Sequence, residues 1–319
     1  MRQTFFIWFV ILFFSFFVHG CGQQSPGTTT TTTVINSSFT GCAIGAYVNG
    51  TSNIAPFQTI IGKNLAVVLW YVNMLSPFPT AEADIVNNNG SIPHITWEPW
   101  LPDSSTLESI ALGTYDPYIR NFFTAAKAWN KPLFLRFAQE MNGNWYPWDG
   151  FHNGQTAGPE RYKQAWIHIY NLREEIGASK VVLVWSPNAD SVPSDSWNSI
   201  SAYYPGDQYV DWIGVDGYNW GYYAWCSFDT VFSTVYNTLT SLTQKPLMIG
   251  EFSSSEQGGS KAAWITDTFT KIESTYPRVK IFNWFNENKE RDWRVNSSST
   301  AETAFNTSLQ DSYYLPQIP

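Results

Sequence analysis

Charged side chains are scarce in this chain, making up 14% of its 319 residues, well below the roughly one quarter usual in soluble domains. Basic clusters are missing altogether and the net charge is −8, which argues against nucleic acid as a partner. There are only four histidines, at 19, 94, 152 and 168, and three cysteines. Neither set has metal-ligand spacing, so no metal or other cofactor is implied. No apolar run is long enough for a typical membrane span. The longest, from Phe5 to Val18 behind Arg2, fits the apolar core of a secretory signal over residues 1–20, with cleavage at Gly20–Cys21. Cys21 also fits a bacterial lipoprotein site, so a lipid anchor stands beside free secretion as an expectation. With Cys21 processed, Cys42 and Cys226 either pair in an oxidising compartment or remain two buried thiols.

Aromatic residues are abundant, at 17% with 16 tryptophans. Indoles serve either a Trp-rich core or surface platforms for flat apolar ligand faces. Residues 21–38 are Gln, Ser, Pro, Gly and a run of Thr; they lack core-forming side chains and read as a disordered tether. Sequons at Asn36, Asn49, Asn89, Asn296 and Asn306 occur at about chance frequency. The body, 39–319, reads as a single domain. Eight short apolar runs are expected as strands: Ala43–Val48, Leu65–Tyr71, Ile92–Trp97, Leu133–Phe137, Val181–Trp185, Trp212–Asp216, Leu247–Glu251 and Val279–Trp284. Most are continuous rather than alternating, as for strands covered on both faces. Helical patterns alternate with them near 80–88, 116–129, 159–176, 228–243 and 260–275. Pro159 suits a first turn and Gly177 a left-handed cap, while Asp116-Pro117 suits an N-cap followed by N1. Eight βα units point to an α/β fold, a (β/α)8 TIM barrel.

Such barrels place their chemistry at the C-terminal ends of the strands. The polar residues just past each run are therefore the candidates, and the richest stretch is Arg136-Phe-Ala-Gln-Glu-Met-Asn-Gly-Asn-Trp-Tyr-Pro-Trp148. An arginine inside an apolar strand needs a partner. A carboxylate, Glu140, follows it, and then three aromatics in four residues. Glu251 ends the seventh run. Two carboxylates converging from the fourth and seventh strands suit glycoside hydrolysis, which needs one protonated and one ionised group at the same pH. In this reading Glu251 is the nucleophile, with Arg136 and the Tyr218 hydroxyl as its partners. Glu140 is the acid/base, its pKa raised by aromatic burial and the neighbouring charge. Trp284 is expected as the sugar platform beside the reacting ring. Trp145 and Trp148 are expected to floor the leaving-group side, with packing as their alternative. Glu98 either contacts substrate or caps a loop. Asp216 is read as structural.

Arg-x-x-Gln-Glu-Met-Asn-Gly-x-Trp at 136–145 resembles the acid/base motif of glycoside hydrolase family 26. Tyr204-Pro-Gly-Asp207, Val210-Asp-Trp-Ile-Gly-Val-Asp-Gly-Tyr-Asn219 and Met248-Ile-Gly-Glu251 resemble that family's sixth-strand and nucleophile regions. The resemblance spans roughly residues 41–309. It implies a retaining (β/α)8 glycosidase with catalytic glutamates on strands 4 and 7, and a β-linked polysaccharide substrate. The family is known chiefly for endo-β-1,4-mannanases and also contains mixed-linkage β-glucanases and β-1,3-xylanases. It usually carries His directly before the acid; here Gln139 stands there, and its amide can bond a sugar hydroxyl in the same place. Asn142 joins Arg136 as a supporting residue. The expectation is therefore a secreted, monomeric endo-β-1,4-mannanase. A mixed-linkage glucanase or β-1,3-xylanase, and a non-catalytic sugar-binding barrel, are the alternatives.

Overall fold

The computed structural model describes residues 35–102, 106–222 and 225–319. Eight parallel strands close into a barrel: β1 Cys42–Tyr47, β2 Val67–Asn73, β3 Ile92–Glu98, β4 Leu133–Phe137, β5 Val181–Trp185, β6 in two pieces, Trp212–Ile213 and Asp216–Asn219, β7 Leu247–Ser254 and β8 Val279–Phe285. Each pairs with the next, and β8 pairs back onto β1 through Ala43 opposite Ile281 to Tyr47 opposite Phe285. A short strand β9, Tyr314–Leu315, adds to the lower end of β1. The expected runs all become barrel strands; the sixth differs in being broken at Gly214-Val215 and in running on to Asn219.

The helices are α1 Ile54–Ile61, α2 Thr80–Asn88, α3 Thr106–Ala111, α4 Asp116–Trp129, α5 Gly158–Ile176, α6 Phe228–Leu242, α7 Lys261–Ser274 and α8 Ser299–Leu309. Gly177 closes α5 at φ 75°, the left-handed cap its lack of a Cβ allows. Strict alternation does not hold. Both α3 and α4 lie between β3 and β4, while the β5–β6 link has only 3-10 turns over 196–209. Tyr115 rather than Asp116 occupies the N-cap of α4, because the Asp116 carboxylate is engaged by His168 Nε2 at 2.6 Å.

Inside the barrel, Val67, Phe134, Val182, Trp212, Met248 and Ile281 fill the lower layer. Outward-facing residues of the same strands pack under the helices in a second, larger core. Ile35 is 3% exposed and joins the lower cluster with Phe39 and Ile318, and Asn36 Nδ2 donates to the Pro319 carbonyl. Packing thus reaches back at least to Ile35, earlier than a tether over 21–38 would allow, because Ile35 supplies an apolar side chain to the barrel floor. The signal segment, Cys21 and the rest of the tether lie outside the described residues. Cys42 is buried in β1 with a free thiol, so it does not pair with Cys226.

Candidate active site

Strand alternation aims Thr96 of β3, Arg136 of β4 and Asp216 and Tyr218 of β6 into the barrel above that apolar floor. Arg136 is fully buried, and every guanidinium N–H has a partner. Nη1 donates to both oxygens of Asp216 at 2.6 and 2.7 Å, Nε and Nη2 donate to Thr96 Oγ1 at 3.0 and 2.7 Å, and the remaining Nη2 proton meets Glu251 Oε1. Burial alone would lower the arginine's pKa, but Asp216 and Glu251 hold it above its ordinary value. Asp216 is structural as expected, through the guanidinium.

Glu251 reaches the mouth through a bulge in β7. Ile249 pairs with Phe282 and Phe252 with Trp284, so three steps on β7 match two on β8, and the extra residue re-aims the side chain. Gly250 makes room: a Cβ there would strike Asp216 Oδ1 and Arg136 Nη1. The Tyr218 hydroxyl donates to Glu251 Oε2 at 2.7 Å. Tyr71, from the inner face of β2, also stands beside Glu251. Burial first, and the glutamate's charge second, hold its phenol well above the usual pKa.

Glu140 follows β4 with φ 54°, a left-handed backbone that a glutamate adopts only when its surroundings enforce it. Its amide donates to the Ser186 carbonyl at 2.9 Å. Its carboxyl accepts from Asn188 Nδ2 at 2.7 Å and from Trp145 Nε1 at 2.9 Å. Burial, and then the charge of Glu251, push its pKa up to about 7, against the opposing pull of those two hydrogen bonds. Asn142 positions Asn188 from below: it accepts from the Asn188 amide at 2.8 Å and donates to the Asn188 carbonyl at 3.0 Å.

Gln139 is 1% exposed and donates to Glu98 Oε1 at 2.9 Å, while Trp100 Nε1 donates to Glu98 Oε2 at 3.0 Å. Trp145 lies at the rim, 42% exposed. Trp148 departs from expectation. It is fully buried, donates to the Gln139 carbonyl at 2.8 Å and stacks behind Tyr146 at 4.3 Å, so Tyr146 rather than Trp148 presents a ring toward the site. Trp284 departs further. It is fully buried against Phe252 and Phe305 with its Nε1 bonded to the Trp293 carbonyl, so it belongs to the layer between sheet and helices and offers no face to a sugar. The reason is strand parity. Ile281 fills the barrel floor and Asn283, over Gly45 of β1, donates from Nδ2 to the Ile249 carbonyl of neighbouring β7, so Phe285 is the next inward residue. Phe285 stacks on Tyr47 at 4.8 Å and meets Tyr218 at 5.9 Å.

Sequence reasoning missed Tyr47, Tyr71, Tyr146 and Phe285 as rings around the glutamates, and Asn188 as a partner of Glu140. Only Asn188 carried a signal, as the polar residue just past β5. Among the described residues no cluster of His, Cys, Asp and Glu could hold a metal ion.

The model of the family described as Glycosyl hydrolase family 26 matches residues 118–310. Endoglucanase H of Acetivibrio thermocellus is 40% identical over 279 residues, 84% of this chain and 30% of that protein. A mannan endo-1,4-beta-mannosidase of Bacillus subtilis is 28% identical over 190 residues, 58% of this chain and 48% of that protein. The chain therefore spans less than half the length of either relative. Among solved structures, the Cellulomonas fimi endo-beta-1,4-mannanase double mutant superposes with a TM-score of 0.67 at 17% identity, covering 86% of this chain and 72% of that one; at that identity the likeness concerns the fold. The match to that family over most of the barrel, together with a relative 40% identical over 84% of the chain, places the chain in glycosyl hydrolase family 26.

Proposed function

We propose that the chain is an exported, retaining endo-β-glycanase that cleaves a β-glucan backbone. The observation that carries the mechanism is the asymmetry of the two glutamates. Glu251 is tied to Arg136 and Tyr218. Glu140 is held near neutrality by burial and by Glu251. Glu251 attacks the anomeric carbon while Glu140 gives its proton to the departing glycosidic oxygen. This forms an ester between the sugar and Glu251. Glu140, now ionised, takes a proton from water as that water attacks the same carbon; the ester breaks, Glu251 leaves as carboxylate, and the anomeric configuration is retained. Gln139, Glu98 and Trp145 bind hydroxyls and a ring next to the cleaved bond in this reading, supported by the Gln139–Glu98 hydrogen bond and the exposed Trp145 ring beside Glu140.

Two features support glucan. Endoglucanase H is 40% identical over 84% of the chain, and the usual histidine before the acid is replaced by Gln139. The second reading is β-1,4-mannan, favoured by the likeness to the Bacillus mannosidase and stated as the expectation from the motif. The test is reducing-sugar release from barley β-glucan, glucomannan, galactomannan and β-1,3-xylan, with the anomer of the first product followed by NMR. Glucan cleavage with a β-anomer is expected. Activity confined to galactomannan moves the assignment to mannan, and an α-anomer rules out retention. Export through cleavage of residues 1–20 and action as a monomer complete the proposal; N-terminal sequencing and light scattering test them.

A further inference from the structure

Tyr218 lies on β6 two residues after Asp216, and Trp220, just past the end of that strand, sets its ring 6.0 Å from the Tyr218 ring. Asp216 binds Arg136 and Tyr218 binds Glu251. Trp220 is 48% exposed. Tyr222 beside it is 52% exposed. Exposed rings of this size are costly in water and mark a surface built for contact.

The pair is braced rather than loose. The Arg291 guanidinium lies 4.1 Å from the Tyr222 ring centroid and 5.7 Å from that of Trp220, and its Nε donates to the Trp220 carbonyl at 3.1 Å. Trp293 packs edge-to-face with Trp220 at 5.1 Å and meets Tyr218 at 5.0 Å. The loop supplying Arg291 and Trp293 is anchored through three successive carbonyls. Buried Lys261 donates to those of Asp292 and Arg294 at 2.9 and 2.7 Å, while Ser253 Oγ and Trp284 Nε1 donate to that of Trp293 at 2.8 and 2.9 Å. From the neighbouring loop, the Gln257 carbonyl accepts from the Tyr222 amide at 3.1 Å. Loops after β6, β7 and β8 thus converge to hold two exposed rings and a guanidinium in fixed relation.

We propose that Trp220, Tyr222 and Arg291 form a distal subsite that stacks one pyranose ring of an extended β-linked glycan, at least one unit removed from the ring bound at Glu251. The C–H face of a pyranose matches an aromatic ring, the guanidinium supplies fixed donors to its hydroxyls, and the 6.0 Å from the Tyr218 ring to the Trp220 ring is about one sugar unit of an extended chain. The proposal rests on the glycanase reading.

The test uses the whole chain and β-gluco-oligosaccharides of increasing length. In the wild type, kcat/KM gains about tenfold on adding the ring that reaches the platform. Trp220→Ala and Tyr222→Ala each abolish most of that gain, and both reduce retardation by soluble β-glucan in affinity electrophoresis when combined with Glu251→Ala. Tyr222→Ala carries the test alone if Trp220→Ala lowers the Tm. A folded variant with the wild-type length dependence and retardation overturns the subsite while leaving the enzyme reading intact. A wild type that neither cleaves nor binds any β-glycan overturns both. A wild type that cleaves glycan but uses this face to bind a protein shows unchanged length dependence, and that also overturns it.

Discussion

Removing the Asn188 side chain should move the alkaline edge of activity upward. Glu140 stands near pH 7 because burial and Glu251 outweigh two hydrogen bonds that favour its ionised form, from Asn188 at 2.7 Å and Trp145 at 2.9 Å. A hydrogen bond to a charged group is worth about 1.5–3 kcal/mol. The protonated carboxyl keeps part of it, so we take about 1 kcal/mol as the difference between the two forms, or roughly 0.7 pH unit. In the proposed mechanism Glu140 is the acid and must hold its proton when substrate binds, so kcat/KM is expected to fall as pH rises through its pKa. Asn188→Ala therefore shifts that fall from near pH 7 to about 0.7 unit higher. The assay is kcat/KM on a soluble polysaccharide across about pH 5 to about pH 9, with folding checked by circular dichroism. An edge that stays in place, or moves down, refutes the reasoning that Asn188 favours the charged carboxyl.

The same raised pKa has a stability consequence. Folded Glu140 holds its proton up to about 7 where the ordinary value is 4.5, so the stabilisation it contributes is complete below 4.5 and is lost as pH rises through 7; the loss amounts to about 3 kcal/mol. Glu140→Gln should thus be more stable than the wild type in urea at high pH by up to about 3 kcal/mol and little changed at low pH; a pH-independent difference contradicts this. Trp284→Ala should cost about 3–5 kcal/mol of stability, as a buried core indole does, with kcat/KM of the remaining folded protein close to normal. Phe285→Ala should do the reverse, lowering kcat/KM more than Tm; a large kcat/KM loss in a fully stable Trp284→Ala would return Trp284 to the site.

The barrel was legible because continuous apolar runs mark strands covered on both faces and because Pro159 and Gly177 punctuate a helix. The two glutamates were legible because one comes just past the fourth run and the other ends the seventh. Which aromatics face the site was not. The run Phe282-Asn283-Trp284-Phe285 carries rings on both parities, and a shift by one residue exchanges barrel mouth for outer core. Only the floor contact of Ile281 decides it. The bulge that turns Glu251 toward Arg136 left no mark beyond a glycine. The stacked pair Tyr146–Trp148 shows a different limit. In Trp-Tyr-Pro-Trp any of the rings could have faced the sugar, and the hydrogen bond from Trp148 to the Gln139 carbonyl, a contact made only after folding, takes that ring out of play. Asn188 acts on Glu140 only because Asn142 holds its backbone, a dependence between two loops.

The proposed double displacement, with Glu140 as acid/base and Glu251 as nucleophile, is tested by azide rescue of Glu140→Ala. Without its acid, the variant should lose about 10²- to 10⁴-fold on polysaccharide. A dinitrophenyl glycoside needs little protonation to leave, so its first step should survive and the sugar–Glu251 ester should accumulate. Azide needs no base, and adding it should restore turnover and yield the β-glycosyl azide. No rescue in a folded variant, or the α-azide as product, would contradict the account.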